Sequence, residues 1–352
     1  MRVAFHSSVE SVAQGGGGVY AVSLASALSR WHDVDLFFPT MVEREEIDRF
    51  ISGRADGVHV KADPIVSTTR LIGESRKALF DLSYDIVVVQ STHVPRAILN
   101  RRGYLLCEFP FQERLAWDDR VRLRGFSRII ANSAYTARWI ERLWGRTAIV
   151  LHPPVAPIAP KEKRPSILAV GRFLSGGRSK RQVEMVGMFR ELYRRGLREW
   201  DLHLAGFAQD PAYVEQVRRA AAGLPVHVHA GADRAVLEEL YATSSIFWHA
   251  TGEGADPERE PGRMEHFGIV TAEAMSAGCV PVVFNGGGQP EIVSDESTGV
   301  LWQTFDECLE ATWRLIYDRE RRESFARQGI ERANTFSFPV FVERVQAIFA
   351  GA

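Results

Sequence analysis

Cysteine is scarce in this sequence: Cys107, Cys279 and Cys308 are scattered through 352 residues without CxxC spacing. An odd, dispersed set excludes a disulfide framework and a thiolate zinc site, and points to a reducing compartment. Long apolar runs are also missing; none reaches the roughly 18 residues that a membrane span needs. The opening MRVAFHSS reads as a strand rather than a signal peptide, so the expected location is the cytoplasm. An excess of one charge is absent too. The 43 basic residues balance 44 acidic ones, which gives no footing for nucleic-acid binding.

What is present is a rhythm. Short apolar, β-branched runs alternate with helical patterns: RVAFH (2–6), DVDLFF (33–38), DIVVVQ (85–90), YLLCE (104–108), RIIAN (128–132) and AIVLH (148–152). This alternation predicts βαβ units around a parallel sheet. PPVAPIAPKEKRP (153–165) interrupts it as a linker, and the rhythm restarts with SILAVG (166–171), DLHLAG (201–206), PVHVHAG (225–231), SIFWHA (245–250) and VPVVFN (280–285). Two doubly wound α/β domains facing a cleft are therefore expected, 1–152 and 153–335. In the closing segment, 336–352, Phe341, Val345, Ile348 and Phe349 stand at helical spacing, which predicts a last helix packing on a core, with the first domain as one candidate.

Ligands of open parallel sheets gather beyond the carboxyl ends of the strands. The residues there are His6, Gln90, His93, Glu108, Asn132, Ser133 and His152 in the first half, and Arg172, Gly206, His249 and Asn285 in the second. GGGGVYAV follows the first strand and opens a helix, where backbone amides can hold an anion. Tyr20 stands where a dinucleotide fingerprint needs its third glycine, so a nicotinamide enzyme is a poor match. GRFLSGGRSKRQ (171–182) offers Arg172, Arg178, Lys180 and Arg181 at another strand-to-helix junction, a charge set suited to a diphosphate. The single D-x-D, Asp33-Val34-Asp35, falls inside a strand run and reads as structural, and no metal site is expected. The charged, Gly- and Pro-containing loop 252–264 reads either as a lid or as inert surface.

EHFGIVTAEAMSAG (265–278) carries two glutamates eight positions apart. With a helix starting near Phe267, they stand roughly 12 Å apart by the helical rise, too far for one metal or an acid/base pair. They suit a grip on two parts of one long ligand, with the amides of His266, Phe267 and Gly268 at the positive helix end between them.

This stretch, followed by VPVVFNGGGQPEIV, resembles the E-x7-E region of retaining GT-B glycosyltransferases of family 4, together with Gly171-Arg172, Lys180 and the GGxPE turn at Gly287–Glu291. Arg172 and Lys180 are two residues further apart than in many members, which leaves Arg178 or Arg181 as alternative cations. FH at Phe5-His6, GGGG, NSAYT (132–136), HPPV (152–155) and EHFGI also resemble the branch of lipid-linked oligosaccharide α-1,2-mannosyltransferases, which use GDP-mannose. The resemblance implies an N-terminal acceptor domain, a C-terminal donor domain, and transfer of a sugar from a nucleotide diphosphate to a glycan, lipid-linked or small-molecule hydroxyl, with no cofactor or metal.

In that reading Arg172 and Lys180 neutralise the diphosphate, Glu265 orients the sugar and Glu273 holds the ribose. Gly171, His266, Phe267, Gly268 and Ile269 complete the donor site. His6, Gly17, Gly18 and Glu108 meet acceptor or phosphates. The alternatives are a nucleotide-sugar epimerase of the same architecture and a non-catalytic nucleotide-sugar-binding protein. DDRVRLRGFSR (118–128), with Trp117 and Phe126, reads as a solvated helix or as a peripheral contact with the inner face of an anionic membrane.

Overall fold

A computed structural model describes residues 1–10, 15–45, 47, 57–63 and 70–350. The chain divides into two compact units, Met1–Pro154 with Phe338–Ala352, and Val155–Ser337. The first holds a seven-stranded, all-parallel sheet in the order β3-β2-β1-β4-β5-β6-β7. Its strands are β1 (Arg2–His6), β2 (Asp33–Phe38), β3 (Val58–Ala62), β4 (Ile86–Gln90), β5 (Gly103–Cys107), β6 (Arg128–Ala131) and β7 (Ile149–Val150). The second holds six parallel strands in the order β10-β9-β8-β11-β12-β13. These are β8 (Arg164–Val170), β9 (Asp201–Gly206), β10 (Val226–Ala230), β11 (Ser244–His249), β12 (Val280–Phe284) and β13 (Val300–Trp302).

The apolar runs are continuous because both faces of each sheet are covered. In β4, Val88 faces one core while Val87 and Val89 face another; in β8, Ile167 and Ala169 oppose Leu168 and Val170 in the same way. The helix Phe338–Phe349 sends Phe341, Val345, Ile348 and Phe349 into the first unit's core beside Tyr20 and Leu24. Polar caps start several helices at the strand ends. Ser133 accepts from the Thr136 amide, Asp210 from those of Ala212 and Tyr213, and Asp233 from that of Val236.

Two strands escape the sequence reading. The edge strand β3 alternates His59 and Lys61 with Val58, Val60 and Ala62, and β13 is only three residues long. The linker 153–165 ends earlier than expected, since Arg164 and Pro165 already belong to β8. Phe126 is buried among Leu123 and Ile129, so it is not available to a membrane surface. Asp35 of the D-x-D is buried in β2, where it pairs with Lys61 at 2.6 Å and accepts from the Tyr84 hydroxyl at 2.6 Å.

Candidate functional site

In the second unit the residues just beyond β8, β11 and β12 converge. The 3-10 turn Gly176–Arg178 takes up the extra length between Arg172 and Lys180, and Arg181 enters the helix Gln182–Arg194 with φ 62°. The consequence separates Lys180 from Arg181. Lys180 runs over Gly171 and donates to Glu265 Oε2 at 2.6 Å. Arg181 turns away to Glu184 and Glu253, and Arg172 meets Gln209 Oε1 at 3.3 Å.

Glu265 is further held by His249, whose Nε2 lies 3.1 Å from Oε2. Gln289 Nε2 donates to His249 Nδ1 at 3.2 Å, which leaves the proton on Nε2 facing Glu265. Burial opposes the charge on Glu265, but the Lys180 ammonium and then His249 hold its carboxyl well below the usual range. Burial lowers the pKa of His249, and pushes His266 down to about 4, so both rings are neutral at neutral pH. Behind Glu265, Gly287 has φ 63°, and a Cβ there would stand 1.9 Å from the Glu265 carbonyl oxygen. The Gly288 amide donates to that same carbonyl at 2.7 Å. The Gly-rich turn therefore fixes the backbone that carries Glu265.

The helix behind this loop spans Ile269–Ser276, starting two residues later than expected, with Gly268 at its cap at φ 107°. Its leading amides belong to Ile269 and Val270 rather than to His266 and Phe267. Phe267 is buried edge-on against Phe336, so only its backbone is left for a ligand. Glu273 lies in the second turn with both oxygens engaged, Oε1 by Arg234 at 2.7 Å and Oε2 by the Tyr241 hydroxyl at 3.1 Å. Burial disfavours the charge on Arg234, yet Glu273 and Glu238 raise its pKa. The loop 252–264 is tied down by Arg181 to Glu253 and by Arg263 Nε to the Gly177 carbonyl at 3.2 Å.

In the first unit His6 and Gln90 end β1 and β4, and Glu108 directly follows β5. Gln90 Nε2 donates to Glu108 Oε1 at 2.5 Å and to the Gly17 carbonyl at 3.1 Å, while its Oε1 accepts from Ser7 at 2.6 Å. Burial raises the Glu108 carboxyl pKa, with the Gln90 hydrogen bond only partly opposing it. A Cβ at Gly17 would stand 2.7 Å from Glu108 Oε1, so the start of the helix Gly16–Leu28 rests against this carboxyl. Gly18 is buried in the same turn. His6 Nε2 meets Asp81 Oδ1 at 2.9 Å, Arg96 binds the other Asp81 oxygen, and His6 Nδ1 is buried without a protein partner among the described residues.

His93 bonds its neighbour Thr92, Ser133 caps its helix, and His152 meets Arg344 of the last helix at 3.3 Å. The sequence reading did not single out Asp81, Arg96, Gln209, Arg234, Tyr241 or Gln289. Of these, only Gln289 lay inside a motif, as the variable position of GGxPE.

Residues 155–332, just over half of the chain, match the family "Glycosyl transferases group 1". The chain is 26% identical over 237 residues to a GDP-Man:Man(3)GlcNAc(2)-PP-Dol alpha-1,2-mannosyltransferase of Dictyostelium discoideum, covering 60% of this chain and 45% of that one. It is 26% identical over 286 residues to the mouse (Mus musculus) alpha-1,3/1,6-mannosyltransferase ALG2, covering 72% and 65%. The chain thus spans about half to two thirds of the length of these relatives. Its fold is similar to that of Anabaena HepE in complex with UDP, at a TM-score of 0.77, 15% identity and full coverage of both chains. That likeness supports the GT-B assignment of two Rossmann-like α/β domains. With the family matched across the whole second unit but its last five residues, this chain belongs to the group 1 glycosyl transferases.

Proposed function

We propose that this chain is a retaining, metal-independent glycosyltransferase of family 4. It moves a sugar from a nucleotide diphosphate to a hydroxyl of a glycan, lipid-linked or small-molecule acceptor. The observation that carries the reading is the cluster of Lys180, Glu265, His249 and Gln289 beyond the carboxyl ends of β8, β11 and β12. A carboxylate held ionised there is a strong acceptor for sugar hydroxyls, and the adjoining ammonium and Arg172 supply charge for a departing diphosphate. Arriving phosphates compete with Glu265 for Lys180, which couples donor entry to release of the glutamate. Glu273 takes the ribose through the lone pairs that Arg234 and Tyr241 leave open. In the first unit, His6 and Glu108 are assigned to acceptor or phosphates, and Gly17 and Gly18 to the donor.

GDP-mannose is the first donor to test, because a relative's name carries it; UDP sugars come second, after the UDP-bound neighbour in fold. A cytoplasmic site with peripheral membrane contact is part of the proposal. No helix among the described residues is long and apolar enough to cross a membrane. Trp117 is 78% exposed, and the exposed Val121 stands one turn on beside Arg120 and Arg124. Salt-sensitive co-sedimentation with anionic vesicles, weakened by Trp117→Ala, is the outcome that supports it.

The activity is tested by incubating each nucleotide sugar with mixed acceptors in EDTA and analysing the products. A glycoside with the donor's anomeric configuration supports the proposal. Interconversion of a UDP sugar without acceptor identifies an epimerase, and binding with neither transfer nor hydrolysis identifies a binding protein.

A further inference from the structure

At the opposite end of the second sheet lies a cluster that the donor site does not use. Asp201 opens β9, and His203 follows two residues on, so both side chains emerge on the same face. In the parallel register His203 lies directly beside His227 of β10, and His229 lies two pairs further along, beside Ala205. The three imidazoles pack against one another. Their centroids are 4.8 Å apart for His203 and His227, 5.3 Å for His203 and His229, and 6.4 Å for His227 and His229.

One ligand atom from each of Asp201, His203 and His227 can be chosen so that all lie within 4.8 Å of one another. His227 Nε2 and Asp201 Oδ2 are 3.8 Å apart, somewhat longer than the roughly 3.4 Å edge of a tetrahedron with bonds of ~2.1 Å. His203 Nδ1 and His229 Nε2 are 3.0 Å apart, a hydrogen bond. With the proton on His203 Nδ1, that bond fixes the ring and leaves Nε2 as a lone-pair donor, the outer-shell arrangement that orients metal-bound histidines.

We propose that Asp201, His203 and His227 bind one divalent transition-metal ion of the zinc class, with His229 positioning His203. Two imidazoles and a carboxylate suit zinc and its neighbours in the first transition row rather than magnesium. Three protein ligands leave a tetrahedral ion one further position. Arg164, at the start of β8, is the neighbouring positive charge that such an ion would have to tolerate. The ion would clip β10, the edge strand, to β9, a structural role separate from sugar transfer.

The test uses the whole chain, stripped with a chelator and titrated with Zn²⁺, Co²⁺ and Mg²⁺ by calorimetry and thermal unfolding. The expected result is one Zn²⁺ per chain, a higher unfolding midpoint with Zn²⁺ or Co²⁺ but not Mg²⁺, and a tetrahedral Co²⁺ visible spectrum. Asp201→Asn and His227→Gln, at half-exposed positions that leave the fold intact, should each weaken Zn²⁺ at least about tenfold. His59→Gln, which removes the exposed His59–Asp33 pair of the first unit, should leave Zn²⁺ affinity unchanged. Zn²⁺ uptake equal in wild type, Asp201→Asn and His227→Gln, or no uptake by the wild type, would overturn the proposal.

Discussion

Glu108 directly follows β5 in the first unit, and Glu265 lies sixteen residues past the end of β11 in the second. Each is a largely buried carboxyl backed by a glycine-rich turn, yet their acidities move in opposite directions. Glu108 has a neutral partner in Gln90, so burial prevails and its pKa rises. Glu265 has the Lys180 ammonium, so the nearby charge prevails and its pKa falls. Burial alone therefore does not say whether such a residue is a charged grip or a proton carrier; the partner decides. The first unit presents a carboxyl suited to holding or moving a proton, and the second presents a fixed anion.

The largest expected effect comes from removing the partner that makes the difference. Lys180→Met leaves Glu265 buried without its cation and should cost about 3 kcal/mol of stability at pH 7, measured by urea unfolding. The cost should shrink toward pH 4, because Glu265 without the ammonium can take up a proton. Equal costs at both pH values would break the comparison.

The two turns provide the next contrast. Gly287→Ala meets a backbone oxygen in a left-handed conformation and should cost about 2–4 kcal/mol. Gly17→Ala meets only the end of the Glu108 side chain, which can swing aside, and should cost less than about 1 kcal/mol. Thermal unfolding of both variants checks the order.

Glu273→Gln keeps a hydrogen-bonding group beside Arg234 and Tyr241 but removes the charge. A loss of about 1–2 kcal/mol is expected, because Glu238 still pairs with Arg234 at 2.8 Å. The smallest change is that of Glu108→Gln. A carboxyl with a raised folded pKa adds stability at acid pH and loses it as pH climbs through that value. The variant should therefore gain on the wild type as pH is raised from about 4.5 to 7.5. Glu265, with a lowered pKa, adds stability above the ordinary carboxylate range and loses it on the acid side, so Glu265→Gln should fall behind the wild type as pH rises.

The parallel strands were legible because burial on both faces leaves continuous apolar runs, as in DIVVVQ and SILAVG. Strand β3 was not, since an edge strand can keep His59 and Lys61 in solvent. In the candidate site, Glu265 and Glu273 stood out by spacing, but the different partners of Lys180 and Arg181 depended on a 3-10 turn and one left-handed residue, which no periodicity signals. Asp81 and Arg96, which hold His6, are 75 and 15 residues from their partners and carry no local motif. The cluster of Asp201, His203 and His227 became visible only through the register of β9 against β10.

In the proposed function, Lys180 and Glu265 of the second unit hold a nucleotide diphosphate sugar. Thermal unfolding of the wild type and Glu265→Gln with GDP, UDP, ADP and dTDP, each with and without sugar, tests it most directly. A ligand at 100 times its Kd should stabilise by about 2.7 kcal/mol. One nucleotide family should stabilise the wild type, with the sugar adding further stabilisation that Glu265→Gln loses. No stabilisation by any nucleotide, or an identical sugar increment in the variant, would contradict it.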